Sequence, residues 1–202
     1  MSLRIFVAGL ISVILYFLIP PFITIWLGKE YLLSDSINLL LCINTFIMIS
    51  RTTTDNFNHA YGQYADVWAA WAEGGINLSI TIITAIHWGI VGILLGKIVS
   101  LFFIVILWKP FYLFRDGFHL HVGQYWKKTL IYYIILISSI VTILFFATIC
   151  PIKPTESWSS FIAYSLYIGT IYTSEYFILM YIFAPGMKDF INSILPNIIK
   201  NK

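Results

Sequence analysis

The stretch VWAAWAEGGINLSITIITAIHWGIVGILLGKIVSLFFIVILW, residues 67–108, decides the fold class. It is almost continuously apolar over 42 residues, whereas one helical crossing of a bilayer needs about 20. We therefore expect two membrane-spanning helices here, over 67–87 and 88–108. The segment His87-Trp88-Gly89 stands midway and predicts the turn between them.

The rest of the chain has the same character. Of its 202 residues, 59% are apolar, 18% aromatic and only 10% charged, and the mean hydropathy is +0.86. Soluble globular proteins carry about 25% charged residues, so this composition excludes a soluble domain. A net charge of +3 without a basic stripe excludes a nucleic-acid binder. The sequence predicts an all-α polytopic membrane helix bundle. Six transmembrane helices are expected, at 3–27, 36–56, 67–87, 88–108, 129–150 and 157–183.

The residues around these spans predict how the chain is organised. Pro20-Pro21 and Gly28 are expected to end the first helix, and residues 109–128 to form the longest loop. Residues 1–184 then make one transmembrane domain, followed by a cytoplasmic tail over 185–202. The tail has apolar residues at helical spacing with lysines around them, which predicts either a helix along the membrane surface or a frayed end in water.

Charge predicts the orientation of the bundle. Nine of the twelve Lys and Arg residues fall on the side of the N-terminus and two on the other side, while Lys97 lies inside a span. Loops rich in Lys and Arg stay in the cytoplasm. We therefore expect a multi-pass protein of the bacterial cytoplasmic membrane, in contact with membrane lipid, with both termini in the cytoplasm.

Glycines mark one face of the fourth predicted helix. Gly89, Gly92 and Gly96 follow one another at spacings of three and four residues, and the last two form a G-x-x-x-G pair. Small residues on one face let another helix approach closely. We expect these glycines to be helix-packing residues.

Polar residues form a stripe along the third predicted helix. They recur at steps of three or four residues, which places them on one face. The stripe consists of Asp66, Ala70, Glu73, Asn77, Thr81 and Thr84. Polar groups in lipid face a bundle interior or a water-filled cavity. The favoured interpretation is a cavity lining, and the alternative is hydrogen bonding that holds helices together.

Five ionisable residues lie inside predicted spans, where a charge near the centre costs about 2.5–3.5 kcal/mol on translocon scales. Arg51 and Asp55 are four residues apart near the inner end of their helix, so they can reach the headgroups. Glu73, Lys97 and Glu175 lie deeper. Depth alone predicts the pairs Lys97–Glu175 and Arg51–Glu73. In the alternative, Lys97 faces a wet cavity and meets an anionic substrate.

No pattern in the sequence indicates chemistry. Cys42 and Cys150 lie in apolar runs without metal-ligand spacing, and His119 and His121 are a poor metal signature. No nucleophile, zinc or nucleotide motif occurs. We expect no catalytic residue, no metal and no cofactor, and therefore no enzyme.

Five short segments carry a resemblance to a known family. They read PFITIWLGKEY at 21–31, EGGINLS at 73–79, GIVGILLGKIVS at 89–100, LFRDGF at 113–118 and QYWK at 124–127. In this order they resemble the C-terminal half of bacterial polysaccharide and O-antigen flippases of Wzx type. These flippases belong to the multidrug/oligosaccharidyl-lipid/polysaccharide export superfamily. Residues 10–130 carry the resemblance, and the last two spans match in hydropathy only.

The resemblance implies a fold and a function. Such flippases have two lobes around a central cavity, and this chain would supply most of the second lobe, with an N-terminal lobe missing. They move undecaprenyl-diphosphate-linked oligosaccharide across the membrane for lipopolysaccharide and capsule assembly. The candidate cavity residues would be Arg51, Asp55, Glu73, Asn77, Thr81, Lys97 and Glu175. Two alternatives stay open: a multidrug or cation antiporter of the same superfamily, and an integral-membrane enzyme of glycan assembly.

Overall fold

The structure, a computed structural model, describes residues 1–62 and 67–200, with side chains described up to residue 193. Asp66 of the polar stripe therefore lies outside the described residues. The described chain is helical throughout, apart from short connections. The helices are α1 (Ser2–Trp26), α2 (Asp35–Ala60), α3 (Val67–Trp88), α4 (Ile90–Gly117), α5 (Gly123–Ile149), α6 (Trp158–Phe183) and α7 (Pro185–Lys200), with a 3₁₀ turn at Lys29–Tyr31.

Five of the described helices are long and apolar enough to cross a membrane, namely α1, α3, α4, α5 and α6. Helix α2 has 26 residues, which at 1.5 Å per residue gives about 39 Å and is also sufficient in length. It is less apolar than the others because it carries Asp35, Arg51, Asp55 and His59. The chain is an all-α, multi-pass membrane bundle. A sixth crossing by α2 stays a prediction.

The first helix ends at Trp26, one residue from the predicted end at 27, but its proline pair does not end it as expected. Pro20 and Pro21 lie inside α1, and the Thr24 hydroxyl donates a hydrogen bond of 2.9 Å to the Pro20 carbonyl. Prolines are tolerated in membrane helices because side chains and neighbouring helices satisfy the freed carbonyls. The helix ends at Trp26, and Gly28 then takes a φ of +105°, a conformation that glycine adopts at little cost.

The predicted loop over 109–128 is also wrong. Helix α4 runs on to Gly117 and α5 begins at Gly123, so the connection is only 118–122. Within α4 the segments Phe102–Trp108 and Leu113–Gly117 are π-helical. Pro110 lies between them. Its ring and its missing N–H disturb an α-helical ladder, and wider turns on either side relieve this crowding.

The chain forms two compact units. Unit 1 consists of Met1–Leu32 and Lys127–Lys202, and unit 2 of Leu33–Trp126. In unit 1, α6 packs on α1 through buried tyrosines. The Tyr172 hydroxyl donates to the Gly9 carbonyl and the Tyr176 hydroxyl to the Ile5 carbonyl, each at 3.3 Å. Phe6 stacks on Tyr176 with ring centroids 5.0 Å apart.

Unit 2 contains a helical hairpin and one further helix. Helices α3 and α4 are joined by a single residue, Gly89, whose φ is +54°. The predicted turn at 87–89 lies there. Helix α2 packs on the other side of α4 through a buried cluster of Ile47, Leu101 and Val105. Helix α4 is thus the central element of unit 2.

Candidate functional site

The hairpin in unit 2 is closely packed along the glycines of α4. A methyl group built on Gly92 would lie 2.3 Å from the Thr84 carbonyl oxygen, and one on Gly96 would lie 2.3 Å from the Thr81 hydroxyl. The Thr84 hydroxyl donates to the Gly92 carbonyl at 2.8 Å. Gly89 makes the turn instead of packing, since no other group lies within 4 Å of a Cβ placed there.

The contact between α3 and α4 at Gly92 and Gly96 is called the glycine seam below. Much of the polar stripe of α3 faces it. The Thr81 hydroxyl donates to the Asn77 amide oxygen at 3.2 Å, and both residues lie beside Gly96. Thr84 lies beside Gly92. For these three residues the structure shows contacts with α4, as the packing interpretation expects. The cavity lining stays a prediction. Hydroxyl and amide groups help two helices to associate in lipid, where water offers no competing partner.

Glu73 takes part in a network of four charges. Arg51 Nε lies 3.0 Å from Asp55 Oδ2, and Arg51 Nη1 lies 3.6 Å from Glu73 Oε1. Lys109 Nζ lies 2.5 Å from the other oxygen of Asp55. The four side chains are only 19–25% exposed. Two cations and two carboxylates thus neutralise one another at a place shared by α2, α3 and α4.

This network changes how its members are interpreted. Arg51 and Asp55 were explained from the sequence by their reach to the headgroups, yet each also pairs with a residue of another helix. The depth match of Arg51 with Glu73 corresponds to a contact. Lys109 was missed as a member because it was assigned to a loop. No sequence signal identifies it, because Pro110 reads as a helix break and only the structure shows that the helix continues through it with π-helical turns.

Lys97 is a further basic residue of α4, and it lies within the predicted span 88–108, whereas Lys109 lies just beyond it. In the described part of that unit, no carboxylate forms an ion pair with it. It precedes Leu101 by one helical turn, so it lies on the side of α4 that packs against α2. Its side chain is partly exposed. The Lys97 ammonium group therefore has no carboxylate partner among the described residues of its unit.

The register of α2 and α4 places a polar partner close to the level of Lys97. The Asp55–Lys109 pair spans 54 residues of sequence, and Ile47 and Leu101 in the buried cluster have the same separation. The two helices therefore run in parallel, and Lys97 comes level with Ile43. Asn44 is the next residue and precedes Ile47 by three positions, on the same face. The Asn44 amide oxygen is buried and accepts no hydrogen bond within the described residues. The sequence had not singled out Asn44.

Glu175 lies in unit 1, on α6. It lines a groove between α5 and α6, and its Oε2 atom is buried without a hydrogen-bond partner in the described chain. The predicted Lys97–Glu175 pair joins residues of different units and stays a prediction. Elsewhere, Cys42 and Cys150 are free thiols, and residues 1–62 and 67–200 contain no group of three His, Cys, Asp or Glu side chains that could hold a metal ion.

The fold and these sites define a class, a polytopic membrane helix bundle with charged groups inside its helices. Comparisons of the chain with protein-family models, with curated proteins and with solved structures found no match. The class of the protein therefore rests on the chain's own residues, and so does any function proposed for the chain.

Proposed function

We propose that this chain is a component of a membrane transporter that moves undecaprenyl-diphosphate-linked oligosaccharide across the bacterial cytoplasmic membrane. It makes and breaks no covalent bond of its substrate. The observation that supports this best is Lys97, a cation within a membrane helix that forms no ion pair with a carboxylate of the described part of its unit. Ionisable residues within membrane helices are costly, and they commonly mark the path of a substrate or an ion.

The chemistry of Lys97 suits the diphosphate of such a lipid. An ammonium group at the side of a helix pairs with phosphate oxygens as a charge-assisted hydrogen-bond donor. Asn44 lies within one residue of that level and adds an amide group, whose N–H can donate to a phosphate oxygen. Arg51 and Lys109 are less suited because both already pair with Asp55. We assign the substrate's diphosphate to Lys97 rather than to the four-charge network.

The four-charge network has a mechanical role in this proposal. It ties α2, α3 and α4 together, and the glycine seam ties α3 to α4. Unit 2 would then move as one body when the transporter alternates between inward-open and outward-open states. By resemblance, an N-terminal lobe supplies the opposite wall of the substrate cavity. This lobe is the protein partner that we propose.

Binding tests the substrate assignment without the other lobe. The purified full chain in lipid nanodiscs would be titrated with undecaprenyl diphosphate, and with undecaprenol as the uncharged control, by native mass spectrometry. A hydrogen bond to a charged group contributes about 1.5–3 kcal/mol, so Lys97→Met should weaken diphosphate binding about 10–100-fold. Lys97→Arg should retain most of it.

Two further measurements complete the test. Lys153→Met removes an exposed lysine in the connection between α5 and α6 and should leave affinity unchanged. Equal affinity of the unaltered chain for the diphosphate and for undecaprenol would contradict the proposal, and so would unchanged affinity of the Lys97→Met variant.

A further inference from the structure

We propose that Glu175 is a proton-binding site, a carboxyl group that carries its proton while it faces the groove between α5 and α6. The inference goes beyond the substrate assignment above, because it names the ion that this chain binds and releases. It is carried by the position of the carboxyl group, by the residues of the groove and by the lack of an ion pair between Glu175 and any described residue of unit 1.

The position of Glu175 is deep in a membrane helix. It is eight residues from Phe183, the last residue of α6, which corresponds to about 12 Å along the axis. Helix α6 is one of the five helices that are apolar and long enough to cross the membrane. The carboxyl group therefore cannot reach the end of its own helix, since a glutamate side chain extends only a few ångströms.

The groove is lined mainly by apolar side chains. Its lining residues are Thr142, Phe146, Ile171, Ser174, Glu175, Ile178 and Leu179. Helix α5 contributes Thr142 and Phe146, neither of which titrates. On α6 the nearest titratable groups are Tyr172 and Tyr176, whose hydroxyls already donate to the α1 backbone. Among the residues that the structure describes with side chains, no Lys, Arg or His lines the groove.

A charged carboxylate at this place would be uncompensated. Burying an isolated ionised carboxylate costs so much free energy that such groups usually become neutral instead. The groove provides for the neutral form. The Thr142 hydroxyl donates its own hydrogen to the Ser138 carbonyl at 3.1 Å, so its oxygen can accept the O–H of a protonated Glu175. When water reaches the groove, the same carboxyl group would release its proton.

A carbodiimide measures this proton directly. The O–H of a carboxylic acid adds across one C=N bond of dicyclohexylcarbodiimide, and the resulting O-acylisourea rearranges to a stable N-acylurea without losing an atom. At pH 7 an ordinary glutamate, with a pKa of about 4.3, is protonated in about one molecule in 500. The full chain in liposomes would be treated at pH 7, and the modified residues located by peptide mass spectrometry.

We expect Glu175 to be labelled at least tenfold more than Glu156, a glutamate in an exposed ion pair with Lys153. Glu73, held by Arg51, should also stay unlabelled. A water-soluble carbodiimide with an amine nucleophile should reverse the preference and modify Glu156. The Glu175→Gln variant should lose the lipid-soluble label at that peptide only.

Two results would overturn the proposal. One is labelling of Glu175 no greater than that of Glu156. The other is a Glu175 that stays unlabelled in the unaltered chain and becomes labelled in Lys97→Met, because that result would show an ion pair between the two residues. Neither outcome affects the diphosphate titration, so failure of the proton site and failure of the proposed substrate are distinguishable.

Discussion

Replacing Gly92 by alanine should destabilise the protein because the added methyl group has no room. It would lie 2.3 Å from the Thr84 carbonyl oxygen and 2.4 Å from the Thr84 carbonyl carbon. Both atoms belong to the backbone of α3, so no side-chain rotation can relieve the contact and the two helices must separate. Overpacking of this kind costs about 1–3 kcal/mol. Part of that cost is the hydrogen bond from the Thr84 hydroxyl to the Gly92 carbonyl, which would lengthen.

The same hairpin offers a matched control. Gly74 lies within α3, and a Cβ there would have no other group within 4 Å. Alanine at that position should stabilise the helix by about 0.5–1 kcal/mol, because glycine has the higher conformational entropy in the unfolded chain. The two variants should therefore differ by about 1.5–4 kcal/mol.

The free energy of unfolding would be measured by sodium dodecyl sulfate titration in dodecyl maltoside micelles, followed by circular dichroism. If Gly92→Ala unfolds at the same detergent fraction as Gly74→Ala, or at a higher one, then α3 and α4 do not approach as closely as described. That result would show that the glycine seam does not hold unit 2 together.

Three further predictions concern charge, buried hydroxyls and topology. Asp55→Asn should cost about 2–3 kcal/mol in the same titration, because Arg51 and Lys109 lose the negative charge that they share and one of them faces an amide NH₂ instead of an oxygen. Glu156→Gln in an exposed pair should change stability by less than about 0.5 kcal/mol, and equal effects would show that the network contributes little. Tyr176→Phe should lower stability by about 0.5–1.5 kcal/mol, because a buried backbone carbonyl loses its hydroxyl donor, and an unchanged midpoint would argue against that bond. Single cysteines at Lys153 and Asn197 in an otherwise cysteine-free chain should react with an impermeant thiol reagent from outside intact cells at Lys153 only, and labelling of Asn197 would reverse the proposed orientation.

The helices could be located from the sequence because lipid leaves the backbone few alternatives. Hydropathy therefore marks α1, α3 and α6 to within one residue, and Gly89 marks the turn. Helix α5 begins six residues before its predicted start. The ends were less predictable. Pro20-Pro21 reads as a helix end by rules that hold in water, where a freed carbonyl can turn to solvent. Lys109 was interpreted as the start of a loop because the hydropathy of the sequence falls there. Helix α4 nevertheless continues beyond the apolar region, to Gly117.

The site could be predicted only in part, because hydropathy gives depth and not neighbours. It placed Arg51 and Glu73 at similar depth, and the structure brings them together. It could not show that Asp55 meets Lys109 from a helix 54 residues away in sequence. For the polar stripe of α3 the sequence left two interpretations, a cavity lining and helix packing. The periodicity of the polar residues identifies one face of the helix, but it does not show what that face contacts. For Thr81 and Thr84 that contact is α4.

The single-residue turn between α3 and α4 has a consequence for how the protein enters the membrane. Helix α3 has a mean hydropathy of 1.3 in its most apolar window, against 2.8 for α4, and it carries Glu73. If α3 left the translocon without a partner helix, it would partition into lipid weakly. The insertion free energy that one acidic residue within the helix costs is as large as the gain from several leucines. Because only one residue separates the two helices, α4 enters the channel immediately after α3, without a spacer that would let α3 insert by itself. The two helices should therefore leave the channel as a packed pair. The insertion of the more apolar α4 then compensates for the less favourable insertion of α3.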